Sequence, residues 1–386
     1  MTHSKLIKDD PYDTLVLSGG SVNGISTLGV LQYMYDNNKL QHVKNYYGTS
    51  IGSVICYLLI LGYNPTEILL NVISEKLIDN YKKINVVDIA NGNGGFKWKS
   101  IDDFLTNCTL VKCEQPMSFE DIWKRYHVHF VCTAYNVNKK KIEYFSYLTH
   151  PKLLCTAAIR MSCNIPLLFP RYRYLDNYYI DGGIVDNFPI LQASPKNIVF
   201  GIYLEISTEV LNKKLNTSQH DTTPENTSNK KTNKDVKSEN TNSEDLTKKN
   251  TSDTNEDNES DTNEEIASDI NEDNESDTNE DNESDTNEDN ESDTDEEMEG
   301  RDEITTNDID FTLQDYIVTI LTTPLIYHIK ININKFIESI EDPSIREKTQ
   351  ILMIPTIKTA LHFNLTTYDQ LEMFSHGYQH VKTYYE

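Results

Sequence analysis

The chain has 386 residues, and its 61 acidic residues outnumber its 35 basic residues, which gives a formal charge of −26. The stretch Ser252–Glu299 holds 24 of these acids and no Lys or Arg, so the rest of the chain carries 37 acids against 35 bases. The charge is therefore a property of one solvated segment, and we expect no nucleic acid partner.

Neither a leader nor a membrane span is evident in the sequence. Met1–Asp13 is polar and lacks the apolar centre of a signal peptide. The longest apolar run, Ile51–Leu61, is far shorter than the roughly 20 residues that cross a bilayer. We expect an intracellular, cytoplasmic protein, with peripheral association with a membrane left open. The six cysteines lie mostly in apolar segments without CxxC spacing, which predicts reduced core thiols.

The first part of the chain alternates short apolar strands with helices. Thr14–Leu17 predicts a strand, the glycine-rich turn Ser18–Gly24 follows, and Ile25–Asn37 has helical spacing. A second strand is predicted over Val43–Tyr47 and a second helix over Ile51–Leu61. The alternation continues downstream, with helices over Pro65–Ile78 and Ile101–Asn107 and strands over Val128–Tyr135, Ile142–Tyr147 and Asn197–Leu204. This order predicts a mixed α/β sheet with helices on both faces.

Composition divides the chain into three parts. Residues 11–207 carry the alternation of strands and helices, residues 208–306 are polar and of low complexity, and residues 307–386 are apolar and periodic again. The middle part nearly repeats Ser-Asp-Thr-Asn-Glu-Asp-Asn-Glu and has almost no apolar side chains to offset the entropy of ordering. We therefore predict one domain interrupted by a disordered acidic insert. Its last part is predicted to be helical, over Phe311–Val318, Leu325–Phe336 and Tyr368–Tyr385.

The acidic insert resembles a calcium-binding loop only superficially. Asp253 begins an alternation of oxygen-bearing residues with Glu264 at the twelfth place, but the sixth place lacks the required glycine. An acidic eight-residue repeat produces such matches automatically. We therefore expect no specific metal site there; diffuse cation binding and a basic protein partner are the alternatives left open.

A candidate nucleophile lies between the second strand and the second helix. Gly48-Thr49-Ser50-Ile51-Gly52 is a G-x-S-x-G sequence, in which small residues allow the tight turn that exposes a serine hydroxyl. The helix that follows Ser50 offers free N–H groups and the positive end of its dipole. The alternative is a tight turn in which Ser50 only caps the helix.

The glycine-rich turn after the first strand could bind an anion in two ways. Backbone N–H groups in Ser18-Gly19-Gly20-Ser21-Val22-Asn23-Gly24 could hold a phosphate or the oxyanion of an acyl intermediate. Ser21 occupies the middle glycine position of G-x-G-x-x-G, and no Gly-Lys-Ser/Thr follows. The neighbouring G-x-S-x-G sequence favours the oxyanion interpretation.

A candidate carboxylate follows a further apolar segment. Asp181-Gly182-Gly183 comes directly after Tyr178-Tyr179-Ile180, so Asp181 lies at a strand end beside an open turn. An ordinary turn aspartate is the alternative, because Asp-Gly pairs are common in turns.

The three motifs together resemble the patatin-like phospholipase family. Their order is the family's, and two further segments also match. Ala158–Pro170 is similar to the segment that precedes the family's D-G-A/G motif, and Asp181–Pro189 resembles its D-G-G-x-x-x-N-x-P ending. Leu365–Tyr378 resembles the last helix of the family. The resemblance covers most of the chain outside the acidic insert.

The resemblance implies a three-layer α/β fold. One catalytic domain would consist of residues 11–207 and 307–386, and the insert 208–306 would interrupt it. It also implies a serine esterase that cleaves esters of phospholipids, lysophospholipids or glycerolipids at a membrane or micelle, without cofactor or metal. Ser50 would be the nucleophile and Asp181 its base. Gly19, Gly20 and Ser21 would donate N–H groups to the oxyanion. Gly24, Gly48, Gly52, Gly182 and Gly183 complete the motifs.

Two positions depart from the family's pattern. Ser21 replaces a third glycine, and a positive φ at that position would cost about 1 kcal/mol or more. Asn23 stands where the family usually has Arg or Lys. An inactive lipid-binding or scaffold protein of the same fold and an acyltransferase are the alternative functions. None of the histidines is required, although His127, His129 or His150 could serve an ordinary Ser-His-Asp site.

Overall fold

The computed structural model describes residues 12–78, 89, 94–205, 327–358 and 362–386. The predicted acidic insert and the predicted helix Phe311–Val318 lie outside the described residues. The strands are β1 (Thr14–Leu17), β2 (Asn45–Thr49), β3 (His129–Asn136), β4 (Lys141–Phe145), β5 (Tyr172–Tyr174), β6 (Asn177–Asp181), β7 (Val199–Glu205) and β8 (Gln350–Pro355). The helices are α1 (Gly24–Asp36), α2 (Ile51–Ile60), α3 (Pro65–Ser74), α4 (Lys99–Cys113), α5 (Phe119–Tyr126), α6 (Cys155–Ser162), α7 (residues 327–339), α8 (Pro343–Lys348) and α9 (Thr367–Tyr385).

The strands form a single mixed sheet in the described part of the chain. Its order is β5-β6-β3-β2-β1-β7-β8, and β4 also pairs with β3. The strands from β3 to β8 in this order, β3-β2-β1-β7-β8, are parallel, whereas β4, β5 and β6 join by antiparallel pairing. The carboxyl ends of β1 and β2 therefore lie side by side, which brings the glycine-rich turn next to the turn that holds Ser50.

Both faces of the sheet are covered, as the alternation of strands and helices predicted. Successive side chains of a strand point to opposite faces. Leu15 and Leu17 of β1 belong to one apolar cluster with α1 and α2, whereas Val16 belongs to a second cluster with α7. The prediction of a three-layer mixed α/β fold is confirmed.

The C-terminal part contributes a strand that the sequence analysis did not predict. Gln350–Pro355 forms β8 and pairs in parallel with β7. A six-residue apolar run of this kind does not distinguish strand from helix, because periodicity needs a longer window. The predicted terminal helix over Tyr368–Tyr385 is present as α9.

Helix α9 crosses α1 with almost no space between the two backbones. A Cβ atom at Gly29 would overlap the carbonyl oxygen of Phe374, and one at Gly377 would overlap that of Ser26. Glycine at both positions lets the backbones approach. Helix α1 begins at the end of the glycine-rich turn. By packing on α1, α9 therefore supports that turn.

Two sequence expectations concern membranes and thiols. Within the ranges that the structure describes, no single helix is long and apolar enough to cross a membrane. Ile51–Ile60 and Pro65–Ser74 pass that length and composition test only as a pair, and they are bent by 115° at their junction. All six cysteines are buried and free, which confirms the prediction of reduced core thiols.

Candidate active site

Ser50 occupies a strained turn between β2 and α2. Its φ of 52° and ψ of −125° place it where L-residues rarely lie. A Cβ atom at Gly48 would come within 2.6 Å of the backbone of Gly52 and Ser53, so the strand end and the helix start approach more closely than a side chain permits. The G-x-S-x-G sequence therefore forms the turn that its spacing predicted, and the hydroxyl of Ser50 lies at the carboxyl edge of the sheet.

Hydrogen bonds hold the backbone of Ser50 on both sides. Its N–H donates to the Ser162 Oγ at 2.8 Å, and its carbonyl oxygen accepts the hydroxyl of Ser53 at 2.6 Å. Such neighbours maintain an unfavourable backbone conformation that would cost about 1–3 kcal/mol. Ser162, at the end of α6, was not assigned a role by the sequence analysis, although it lies in the segment Ala158–Pro170 quoted for the resemblance.

Asp181, the last residue of β6, contacts Ser50 directly. The Ser50 Oγ donates to the Asp181 Oδ2 at 2.6 Å, across a separation of 131 residues in sequence. The Gly183 N–H donates to Oδ1 at 2.6 Å, and the backbone N–H of Asp181 donates to the carbonyl oxygen of Asn164 at 2.9 Å. The carboxylate is thus oriented by three neighbours, and it lies within proton-transfer distance of the serine.

Burial changes the acidity of this carboxyl group. Asp181 is 5% exposed, and loss of solvent raises its pKa to about 6, against the lowering effect of the hydrogen bonds from Ser50 and Gly183. A carboxylate with a pKa near 6 remains ionised at neutral pH and is a better proton acceptor than an exposed aspartate. The site therefore has the electrostatics of a general base beside a hydroxyl group.

The glycine-rich turn lies beside Ser50 and presents two free donors. The Gly19 N–H donates to the carbonyl oxygen of Asn187 at 3.0 Å, so the donor that the sequence analysis assigned to the oxyanion is already occupied. Within the described residues, the N–H groups of Gly20 and Ser21 have no hydrogen-bond acceptor. Ser21 has the positive φ expected of a residue in a glycine position, 52°.

Asn187 joins the glycine-rich turn to the turn that carries Asp181. Besides accepting the Gly19 N–H, it donates from Nδ2 to the Gly19 carbonyl oxygen at 3.4 Å. Its Oδ1 fills the space that a Cβ atom at Gly183 would enter, at 2.7 Å. Asn187 belongs to the D-G-G-x-x-x-N-x-P ending, which predicted no role for it; the motif itself was the available signal.

Asn23, the second departure from the family's pattern, bonds to the C-terminal part of the chain and not to Ser50 or Asp181. Its side chain is buried, and its Nδ2 donates to the carbonyl oxygen of Lys358 at 3.1 Å. The residue therefore fastens the start of α1 to the segment after β8 and does not bring a charge to the cavity.

The three histidines considered as alternative bases pack elsewhere. His127 ends α5 with a positive φ against Trp123, His129 packs on the rings of Tyr47 and Tyr147, and His150 packs on Phe145. The side chain of Asp181 is hydrogen-bonded to Ser50 and Gly183 only, within the described ranges. The geometry therefore pairs Ser50 with Asp181 and with no histidine in that part of the chain.

An apolar cavity of about 150 Å³ opens on Ser50. Phe169, from the segment Ala158–Pro170 that was quoted for the resemblance, lines it, whereas Leu167 of the same segment is half exposed. Most of the wall comes from helices on one face of the sheet, namely Ile25 and Leu28 of α1, Ile51, Val54, Ile55 and Leu58 of α2, Ile68 and Val72 of α3, and Ile101 and Phe104 of α4. The hydroxyl of Ser50 therefore faces a space suited to a hydrocarbon chain.

Comparison with known proteins shows what this part of the chain is similar to. Residues 15–194 match a family model described as "Patatin-like phospholipase". The "Probable lipid hydrolase 463L" of Invertebrate iridescent virus 6 is 33% identical over 191 residues, which are 49% of this chain and 65% of that protein. A "Lysophospholipase NTE1" of Candida glabrata is 25% identical over 198 residues, which are 49% of this chain and 10% of that protein. The chain thus spans less than two thirds of the curated relatives it matches.

A solved structure, that of VipD from Legionella pneumophila, is also similar. It has 16% sequence identity and a TM-score of 0.36, and the match covers 54% of this chain and 53% of that chain.

Proposed function

We propose that this chain, which carries a patatin-like phospholipase domain over residues 15–194, hydrolyses carboxylic esters of lipids with Ser50 as the nucleophile. The observation that carries the proposal is the 2.6 Å hydrogen bond from the Ser50 Oγ to a buried Asp181 at the edge of an apolar cavity. A serine hydroxyl is a weak nucleophile unless a base lies next to it.

In the first step, the Ser50 Oγ attacks the ester carbonyl carbon while its proton passes to the Asp181 Oδ2. The carbonyl oxygen becomes an oxyanion, and it accepts from the N–H groups of Gly20 and Ser21, which have no acceptor among the described residues. Collapse of the intermediate breaks the bond to the leaving alcohol, which takes the proton from Asp181. An acyl group then remains on Ser50.

In the second step, a water molecule attacks the acyl-serine. Asp181 accepts a proton from the water and returns it to the Ser50 Oγ as the fatty acid leaves. A pKa of about 6 suits both the acceptance and the return of the proton, because the Asp181 carboxyl group must gain and lose a proton at neutral pH. The N–H of Gly183 holds the carboxylate in the same orientation throughout the cycle.

The cavity and the relatives support the proposed substrate class. An aliphatic wall beside the nucleophile favours a fatty acyl ester over a small polar ester. The names of the relatives, a lipid hydrolase and a lysophospholipase, agree with phospholipids, lysophospholipids or glycerolipids as substrates. Such substrates would be drawn from a membrane or micelle.

Active-site labelling tests the proposal. The full chain is treated with a fluorophosphonate, beside Ser50→Ala and the matched variant Ser146→Ala, which removes a buried serine on another part of the fold. The expected result is one labelled peptide containing Ser50 in the wild type and in Ser146→Ala, and none in Ser50→Ala. A folded wild type that is not labelled would overturn the proposal and favour a non-catalytic role.

A further inference from the structure

We infer that the cavity beside Ser50 holds one unbranched acyl chain along helix α2, and that Leu28, Leu58 and Ile68 close its far end. The inference rests on the proposed function and adds to it a limit on chain length. It follows from which residues of each helix line the cavity and from how deeply they are buried.

The lining residues of α2 lie on one face of that helix. They are Ile51, Val54, Ile55 and Leu58, which follow the i, i+3, i+4, i+7 spacing of neighbours on a helix surface. Since α2 starts directly after Ser50, each later member lies farther from the nucleophile. The cavity therefore runs along the helix axis away from the site.

Helix α1 forms a second wall in the same direction. Both helices follow parallel neighbouring strands, and a Cβ atom at Gly24 would overlap the side chain of Ile51, so the two helices start side by side. Gly24 and Ile25 line the cavity near Ser50, and Leu28 lines it one turn farther along. A chain that enters between the two helix starts is therefore guided toward Leu28 and Leu58.

Exposure distinguishes the closed end of the cavity from its open side. Leu28, Leu58 and Ile68 are 3%, 1% and 2% exposed, as expected of residues with no path to solvent beyond them. Val72 and Ile101, which also line the cavity, are partly exposed. The leaving group of an ester held at Ser50 would accordingly lie toward the open side and the acyl tail toward the closed end.

The geometry sets the length of the chain. Eight residues of helix separate Ser50 from Leu58, and a rise of about 1.5 Å per residue makes the path about 12 Å long. An extended alkyl chain advances about 1.3 Å per carbon, because its C–C bonds of about 1.5 Å zigzag. The cavity therefore accommodates about nine carbons in the line of α2.

A series of n-alkyl fluorophosphonates of increasing length tests the inference on the full chain. Each carbon that enters the cavity should raise the second-order labelling rate of Ser50 by up to about fourfold, until the chain meets Leu58. Beyond about nine carbons the rate should level off or fall. Hydrolysis of p-nitrophenyl esters of the same chain lengths gives a second readout.

Two variants should shift the preferred length of the acyl chain in opposite directions. Leu58→Ala should shift the optimum to longer chains, and Val54→Leu, which adds a methylene halfway along the cavity, should shift it to shorter ones. Leu31→Ala is the matched control, because Leu31 is equally buried on α1 and does not line the cavity. Val54→Leu creates no cavity in the core. It therefore still tests the inference if Leu58→Ala does not fold.

Two results would overturn the inference, and they differ in what else they overturn. If the shortest probe labels Ser50 but the rate does not depend on chain length, or if Val54→Leu and Leu58→Ala behave like Leu31→Ala, the length limit is wrong and the proposed hydrolase stands. If no probe of any length labels the folded protein, the proposed function falls and the length limit falls with it.

Discussion

Two serines in the candidate site share an unusual positive φ and have opposite surroundings. Ser50 and Ser21 both have a φ of 52°. The backbone of Ser50 is bonded to Ser162 and Ser53, and its hydroxyl is bonded to Asp181. Ser21 makes no hydrogen bond through its N–H within the described part of the chain, and its side chain replaces a glycine.

The difference shows that a strained backbone does not by itself give a serine a carboxylate partner. At Ser50 the strain directs the hydroxyl toward a base that other residues hold in place. At Ser21 the backbone N–H has no acceptor among the described residues, and any residue that tolerates the positive φ could supply that donor. We therefore expect the hydroxyl to matter at Ser50 and the backbone to matter at Ser21.

The largest expected effect separates the two hydroxyl groups. Ser50→Ala should lower kcat by about 10⁴-fold or more, because no acyl-enzyme can form. Ser21→Ala should retain kcat within about threefold, because alanine keeps the N–H donor. Ester hydrolysis by the two variants, compared at equal folded concentration, measures the contrast. A Ser50→Ala variant that keeps most of its activity would mean that Ser50 is not the nucleophile.

The partner of Ser50 should have the next largest effect. Asp181→Asn should lower kcat by about 10³- to 10⁴-fold, because an amide cannot accept the proton of the serine. In the wild type, kcat/KM should rise with pH and level off above about 6, where the carboxyl group becomes ionised. A pH–rate profile of both proteins tests this. A wild-type profile without inflection near pH 6 would contradict the assignment.

The same carboxylate should make the fold sensitive to pH, and Ser21 has no such partner. The folded-state pKa of Asp181 is raised to about 6 from an ordinary value of 3.8, so its contribution to stability is present below pH 4 and lost as the pH rises through 6. Between pH 4 and pH 8, the free energy of unfolding of Asp181→Asn should therefore gain about 3 kcal/mol relative to wild type. Urea unfolding at the two pH values measures the gain, and a constant difference would argue against a raised pKa.

A variant at Asn187 tests whether the glycine-rich turn, which contains Ser21, must be aligned with the turn that holds Asp181. Asn187→Ala removes the Nδ2 donor to Gly19 and the oxygen packed against Gly183, so the glycine-rich turn and the Asp181 turn lose their common support. We expect kcat to fall by about 10- to 100-fold with KM within about twofold, because the lost alignment matters in the transition state. Steady-state kinetics give the split, and Asn187→Asp should be intermediate because it keeps the oxygen. A change in KM alone would assign Asn187 to substrate binding.

The smallest expected effect concerns the strain at Ser21. Ser21→Gly should raise the free energy of unfolding by about 1 kcal/mol or less, because glycine adopts a positive φ freely but adds entropy to the unfolded chain. The value of kcat should stay within about twofold, since the N–H donor remains. Denaturant unfolding measures the stability, and a large loss of activity would show that the side chain of Ser21 takes part in the reaction.

Much of the site could be predicted because its parts are local motifs. The turn at Ser50, the carboxylate at Asp181 and the positive φ at Ser21 each follow from a few neighbouring residues with small side chains. The engagement of the Gly19 N–H by Asn187 could not be predicted, because it depends on the distance between two loops that are 168 residues apart. Likewise, Ser162 supports Ser50 only after α6 packs against the sheet.

The sequence by itself determined the alternation of strands and helices, the choice of Ser50 and Asp181 as candidate site residues, and the chemical character of each segment, because these depend on side-chain type and short-range spacing. Only the tertiary structure decided that Gln350–Pro355 joins the sheet beside β7, that α9 packs directly on α1, and that aliphatic residues from four helices enclose a cavity at Ser50. Those features are long-range contacts, and the free energy of burying apolar surface depends on its area and not on the order of the residues that supply it.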